Sequence, residues 1–330
     1  MKAIQISRTG GSDVLELVEL PTPKPGPGEV LVKAQAIGVN YFDLLIRTGK
    51  YRWMPKLPFV LGNELAGEVV AAGPDARTLQ VGQKVFIAGY EIGNRGGLYA
   101  EYVAVPERAA LALPANVDPD AATALTNYQL AVILTHHAAR GISPKTVAVY
   151  GAAGGVGTAL IDVARVAGAD VIAVAGGPEK CAFARSRGAA HAIDHKAEPV
   201  VERVLALTDG RGVDILFDHV AGAAFTDGVK MVAPLGMIVS YAVLGGTPQS
   251  DLFGAMRANI ERSPAVRCFT MHTYDHMEEP RRDAMQQALD LLAGGEVRPA
   301  IAARFPLAEA RRAHELNERR GALGKVVLEP

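Results

Sequence analysis

The chain has 330 residues, enough for two domains with separate cores, and its net charge is −1. That balance, with a pI near 6.7, points to neither nucleic acid nor an acidic surface as a partner. Two cysteines, Cys181 and Cys268, cannot build a disulfide framework and fit a reduced compartment, the cytoplasm. No apolar run is long enough to span a bilayer, no internal repeat is present, and Met1-Lys2-Ala3-Ile4 reads as a strand rather than a signal peptide.

In chain order, alternating apolar residues predict strands at 3–6, 15–18 and 29–40, with a stiff Pro-rich connector at 21–28. Phe42, Leu44 and Leu45 predict a short helix over 41–48, followed by strands at 65–71, 84–88 and 100–105. Many short strands punctuated by turns suggest a small β-barrel. From Asp120 the pattern changes to a helix over 121–139 and then alternates strand with helix, the mark of a parallel, doubly wound α/β sheet. Its strands are expected near 147–150, 171–174, 192–193, 213–217, 237–241 and 266–269. A helix at 282–292 and a strand at 325–328 follow, expected to return to the first domain and close it.

The stretch from Thr146 to Gly157, Thr-Val-Ala-Val-Tyr-Gly-Ala-Ala-Gly-Gly-Val-Gly, combines strand, small-residue turn and helix start. Backbone N–H groups at Gly154, Gly155 and Val156, with Ala153 in the turn, would cradle a pyrophosphate, helped by the helix dipole. Set on the dinucleotide fingerprint, positions 152, 154 and 157 read Ala, Gly, Gly, so alanine replaces the first glycine. The next strand ends at Gly176-Gly177 with no acid for a ribose 2′-hydroxyl and with Lys180 just beyond. That end favours NADPH over NADH; the alternative is that Lys180 only solvates a helix start.

Several ordered segments resemble the medium-chain dehydrogenase/reductase superfamily, in its zinc-free, zeta-crystallin-like quinone oxidoreductase branch. They are Gly38-Val39-Asn40-Tyr41-Phe42-Asp43, Leu61-Gly62-Asn63-Glu64-Leu65-Ala66-Gly67-Glu68-Val69, Val81-Gly82-Gln83-Lys84-Val85, Gly97-Leu98-Tyr99-Ala100-Glu101-Tyr102, 152–157, and Ala313-His314. The resemblance spans the chain and implies a GroES-like, mostly-β catalytic domain at 1–121 and 271–330 around a Rossmann cofactor domain at 122–270. Zinc-dependent members need a cysteine near Gly38-Val39-Asn40 and a histidine where this chain has Asn63. Asparagine is a poor zinc ligand, and two cysteines cannot make the four-cysteine structural lobe, so no metal is expected.

The implied activity is NADPH-dependent, zinc-independent hydride transfer to a quinone or similar conjugated carbonyl. Reduction of an enoyl or alkenal double bond by the same chemistry is the alternative, and a non-catalytic NADPH-binding protein the more distant one. The resemblance places Asn40 and Thr126 at the nicotinamide end, and Tyr41, Asp43, Tyr51, Trp53 and Tyr128 as pocket candidates. For any one of these aromatics packing is the commoner role, and Asp43 could simply cap or brace a local turn. Lys180 matches the family's basic residue, while His195 stands where relatives carry an aromatic near the 2′-phosphate. Tyr241 and Phe269 are expected against the cofactor, and Lys325 either reaches it or solvates a strand edge. The apolar strand near 266–271 is expected to pair with a second subunit as a homodimer, unless a loop covers it.

Overall fold

An eleven-residue strand, β3 (Glu29–Val39), is the spine of the first half of the chain in the computed structural model, which describes residues 1–93 and 95–330. Its first residues alternate, with Val30, Val32 and Ala34 inward, and from Ala36 onward every residue is buried. Before it come β1 (Lys2–Ile6) and β2 (Glu16–Glu19); after it come β4 (Phe59–Val60), β5 (Glu64–Ala72), β6 (Lys84–Ala88), β7 (Tyr102–Pro106) and β8 (Ala110–Ala112). Strands β2, β1 and β4 form a small antiparallel sheet, bridged to the segment before β7 by Ala3 opposite Ala100. Along β3, β5 pairs through residues 30–37 and β7 through residues 29–33. Helix α1 (Tyr41–Arg47) leaves the end of β3, started by a capping box between Asn40 and Asp43.

The helix expected over 121–139 is divided. Helix α2 (Pro119–Ala122) is capped by the Asp118 carboxylate and stops where the Thr123 hydroxyl donates to the Asp120 carbonyl, 2.6 Å away. Helix α3 (Leu125–Val132) then runs into a π-helical turn, Ile133–Ala138. Beyond it lie six parallel strands, β9 (Thr146–Tyr150), β10 (Asp170–Ala175), β11 (His191–Asp194), β12 (Val213–Asp218), β13 (Val232–Ser240) and β14 (Ala265–Cys268). They stand in the order β11-β10-β9-β12-β13-β14, the doubly wound arrangement with its reversal between β9 and β12. Every residue of β12 is buried, as a strand covered on both faces requires. The crossovers carry α4 (Gly155–Val166), α5 (Pro178–Ser186), α6 (Val200–Leu207), α7 (Gly228–Met231) and α8 (Leu252–Ala258).

Helix α9 (Glu278–Ala293) leads back to β15 (Ile301–Pro306), helix α10 (Ala310–Glu318) and β16 (Lys325–Glu329). Strand β16 pairs antiparallel with β3, Val327 opposite Gly38, and β15 lies parallel outside it. The expected barrel is thus a seven-stranded mixed sheet built on β3, with the small sheet beside it.

Two compact units result, Met1–Thr126 with Leu291–Pro330, and Asn127–Asp290. The seams lie later than the expected 121/122 and 270/271. The reason is that 271–290 is bonded into the second unit: Gln129 donates to the Arg281 carbonyl at 2.7 Å, Arg281 to the Tyr274 carbonyl at 3.0 Å, and His137 meets the Tyr274 hydroxyl at 2.7 Å. Among the described residues no helix is long and apolar enough to cross a membrane.

Candidate active site

In the second unit, β9 ends in a turn closed by the Gly154 N–H on the Gly151 carbonyl at 3.0 Å, and Gly154 caps α4 in an extended conformation. The N–H groups of the first helical turn, Gly155 and Val156 among them, have no carbonyl partner within the helix and can meet an anion. A side chain on Gly157 would strike the Gly151 carbonyl and come 2.8 Å from Ala152 Cα, so only glycine lets α4 pack this close. A Cβ on Gly155 would come 2.6 Å from the Asn127 amide nitrogen, which places Asn127 over the turn. Gly151, at φ +62, lies under the His219 ring, and His219 Nδ1 meets the Tyr241 hydroxyl at 3.2 Å. Burial pushes the Tyr241 hydroxyl well above its ordinary pKa, so it stays protonated. Ala153 is buried in the turn, and Phe269, just past β14, lies 6.2 Å from Tyr274, ring to ring.

The end of β10 is Gly176-Gly177, as expected, with Gly177 at φ +98. A Cβ on Gly176 would come 2.8 Å from His195 Nε2 and 3.2 Å from Lys196 Cε, and Lys180 lies in the first turn of α5. An acid does stand here, but it comes from β11. Asp194 accepts the N–H of Gly177 at 2.8 Å and of Lys196 at 3.0 Å. The Gly177 bond, then the Lys196 bond, hold its carboxyl below the usual range. Both bonds fall on Oδ1, and His195 and Lys196 stand beside the carboxylate.

In the first unit, Asn40 and Thr126 are partly exposed and rest on buried charge. Lys325, 3% exposed, donates from Nζ to Asn40 Oδ1 at 2.8 Å and to the Glu64 carboxylate, which also accepts the Thr126 hydroxyl. Glu64 fits because Gly38 faces it across the β3–β5 pair; a Cβ there would collide with the carboxylate. The Asn40 N–H donates to Asp43 at 2.8 Å, Tyr99 donates to the same carboxylate oxygen at 3.1 Å, and the Tyr99 hydroxyl meets His314 Nε2 at 3.2 Å. Burial pushes the Asp43 carboxyl up to about 6 against the hydrogen bond from Asn40 and the charge of Lys325. Burial, then the charge of Arg47, pushes His314 down to about 3, so its ring is neutral.

These positions revise several expectations. Tyr128, 2% exposed, gives its hydroxyl to Asp162 at 2.6 Å, and Arg187 holds that same carboxylate; it braces α3 against α4 instead of facing a pocket. Asp43 is fully buried and serves as the cap of α1, the plainer of its two readings. Tyr51 is 8% exposed, packed edge-on to Phe42 at 4.7 Å, which leaves Tyr41 (46%) and Trp53 (50%) as the exposed aromatics of that segment. Lys325 solvates no strand edge. Glu64, Tyr99 and His314 were visible only as marks of resemblance; Asn127, Arg47 and Lys196 carried no sequence signal, because nothing local announces a partner far along the chain.

With this geometry in view, comparison with known proteins is specific. Residues 26–115 match the alcohol dehydrogenase GroES-like domain family, and residues 155–294 the zinc-binding dehydrogenase family. The chain is 34% identical to a quinone oxidoreductase of Pseudomonas aeruginosa, over 100% of this chain and 99% of that one. It is 32% identical, over 98% of its length, to 15% of the phthioceranic/hydroxyphthioceranic acid synthase of Mycobacterium tuberculosis. Among solved structures, Escherichia coli quinone oxidoreductase complexed with NADPH superposes with a TM-score of 0.88 at 29% identity, covering 100% of both chains. The chain belongs to the quinone oxidoreductase branch of the medium-chain dehydrogenase/reductase superfamily, and it is an oxidoreductase.

Proposed function

We propose that this protein is an NADPH-dependent reductase that passes hydride to a quinone or similar conjugated carbonyl, without zinc. The end-to-end likeness to quinone oxidoreductases carries the reading. The cofactor fits the residues present, since the start of α4 at Gly155 and Val156 leaves backbone donors for a pyrophosphate, and the glycine end of β10 has His195 and Lys196 against Gly176 and Lys180 in the first turn of α5. When bound, NADPH supplies the hydride. The chain's own task is to orient it: turn N–H groups on the pyrophosphate, basic side chains on the 2′-phosphate, Asn40 and Thr126 at the nicotinamide end, Tyr241 and Phe269 as flanking surfaces. Tyr41 and Trp53 are the proposed aromatic wall for a flat acceptor. Independence from zinc is supported by Asn40 and Asn63. Among the described residues no group of three or more His, Cys, Asp or Glu could hold a metal ion.

The alternative, reduction of an enoyl or alkenal double bond, is supported by the likeness to a solved 2-haloacrylate reductase, 26% identical with a TM-score of 0.82. A second copy of this chain is the proposed macromolecular partner, because β14 is a sheet edge. The test is NADPH consumption with a para-quinone, an ortho-quinone, an enone and an enoyl thioester, repeated with NADH and with a chelator. Quinone turnover with NADPH that ignores the chelator supports the reading. Turnover confined to the enone or thioester replaces it with the alternative, and equal use of NADH refutes the cofactor preference.

A further inference from the structure

Behind Asn40 and Thr126 lies a buried charge pair that holds both side chains. Lys325 and Glu64 are 3% and 0% exposed, and an ion pair removed from water recovers its desolvation only with good geometry and further hydrogen bonds. Each member here has one: Glu64 takes the Thr126 hydroxyl on its second oxygen, and Lys325 donates to Asn40 Oδ1. A hydrophobic pair of the same size would fill the space, so packing volume alone does not account for ions. The geometry is a continuous path of donors and acceptors, Lys325 Nζ, Glu64 Oε1, Glu64 Oε2, Thr126 Oγ1, leading from the interior to a partly exposed hydroxyl.

We infer that Lys325 and Glu64 are a proton reservoir for the reaction, with Thr126 as the residue that hands the proton to the acceptor. The inference rests on the proposed reduction of a conjugated carbonyl, which consumes one hydride and one proton. As hydride reaches the acceptor, an electron pair moves onto the acceptor oxygen. The Thr126 O–H bond breaks and a new O–H bond forms on that oxygen. Lys325 then gives a proton to the Glu64 carboxylate, and the carboxylic acid so formed passes that proton to the Thr126 oxygen, which restores the carboxylate and the hydroxyl and leaves Lys325 as a neutral amine. Water reprotonates the amine before the next turnover. Lys325 thus acts through Glu64 and Thr126 and is a positioning residue, while Thr126 touches the acceptor.

The surroundings suit a group that must release a proton near neutrality. Lys325 on β16 is faced by Glu64 from β5 and by Asn40 and Asp43 from the start of α1; Tyr99, His314 and Arg47 stand behind Asp43. Burial brings the ammonium down to about 7, opposed by the Asp43 charge. Arginine in the same place would keep the ion pair yet hold its proton throughout the working pH range.

The test compares wild type with Lys325→Arg, Lys325→Met and Glu64→Gln. NADPH affinity is read by fluorescence, kcat by its pH profile and solvent isotope effect, and the Lys325 side-chain nitrogen by NMR titration. The reservoir predicts a wild-type kcat that falls as pH rises through about 7. It predicts that Lys325→Arg and Lys325→Met bind NADPH within about threefold of wild type but lose about a hundredfold in kcat and lose that pH limb, with methylamine restoring part of the rate to Lys325→Met. Wild-type kcat in Lys325→Arg overturns it, since a merely structural pair is satisfied by either cation. If Lys325→Met does not fold, Lys325→Arg and Glu64→Gln still decide between the two. If wild type turns over none of the acceptors, the functional reading has failed instead, and the nitrogen titration decides the reservoir: release near pH 7 supports it, a proton held above pH 9 overturns it.

Discussion

At Gly157 the α4 helix approaches the turn before it so closely that a single methyl group would strike backbone, which cannot move aside. Gly154, three residues earlier, is different: a Cβ there meets only the Gly151 carbonyl at 3.5 Å, an ordinary contact. The two glycines are therefore separable by experiment. Gly157→Ala should destabilise the fold by about 1–3 kcal/mol in denaturant unfolding, whereas Gly154→Ala should leave stability within about 0.5 kcal/mol of wild type. If the turn holds the pyrophosphate, Gly154→Ala should still weaken NADPH binding; unchanged affinity would put the phosphates elsewhere. The glycine turn and the acid-free strand end were legible because both are local patterns. Asp194 was not, since it reaches Gly177 from the neighbouring strand, and pairing partners are invisible until the sheet is assembled.

Helices α1 and α10 show where legibility stops. The apolar spacing of Phe42, Leu44 and Leu45 announced α1, but α10 buries only Ala310, Ala313 and His314, too small and too polar a stripe to stand out. Between them lies a polar interior: Arg47 is fully buried with one ion pair to Glu318 at 2.9 Å, and neither its Nε nor His314 Nδ1 has a hydrogen-bond partner. The pH consequence has a definite sign. His314 stays neutral in the fold down to about pH 3, while in the unfolded chain it takes a proton below about 6.5. Its contribution is thus fully present above 6.5 and is lost as pH falls toward 3, at up to about 1.4 kcal/mol per pH unit. Asp43, raised to about 6, acts in the opposite sense, stabilising below its ordinary pKa and losing that contribution as pH rises through 6. The stability gap between wild type and His314→Gln should close as pH is lowered from 6.5 to 4. A gap that stays constant in urea titrations across that range would mean that the ring is charged in the fold.

For the molecule as a whole, the doubly wound sheet and the return of the chain through β16 could be read in advance, because parallel strands carry unbroken apolar runs. Strand β15, half-buried in alternation and built of Ile-Ala-Ala-Arg-Phe-Pro, gave too little contrast, and the placement of 271–290 was decided by hydrogen bonds from α3 that no periodicity encodes. The sheet of the second unit ends at β14, where Cys268 is exposed, and Leu235 and Phe253 are 75% and 74% exposed in the same unit. Apolar side chains and an unpaired edge together predict self-association. Sedimentation at micromolar concentration should give twice the chain mass of 34.7 kDa. A monomer under those conditions removes the dimer from the proposal.

The return of β16 to β3 also sets an order of assembly. The second unit is one unbroken stretch, Asn127–Asp290, and can fold as soon as it has left the ribosome. The first unit cannot: its central strand is made near residue 30, and the partner that flanks its far end is made nearly 300 residues later. Throughout that interval the edge of β3 beside Gly38 waits without its neighbour, and Glu64 without its lysine. Synthesis thus completes the parallel-sheet unit first, and the sheet built on β3 only with the last strand. A nascent chain stalled short of Lys325 would have all six parallel strands made and the edge of β3 beside Gly38 still open.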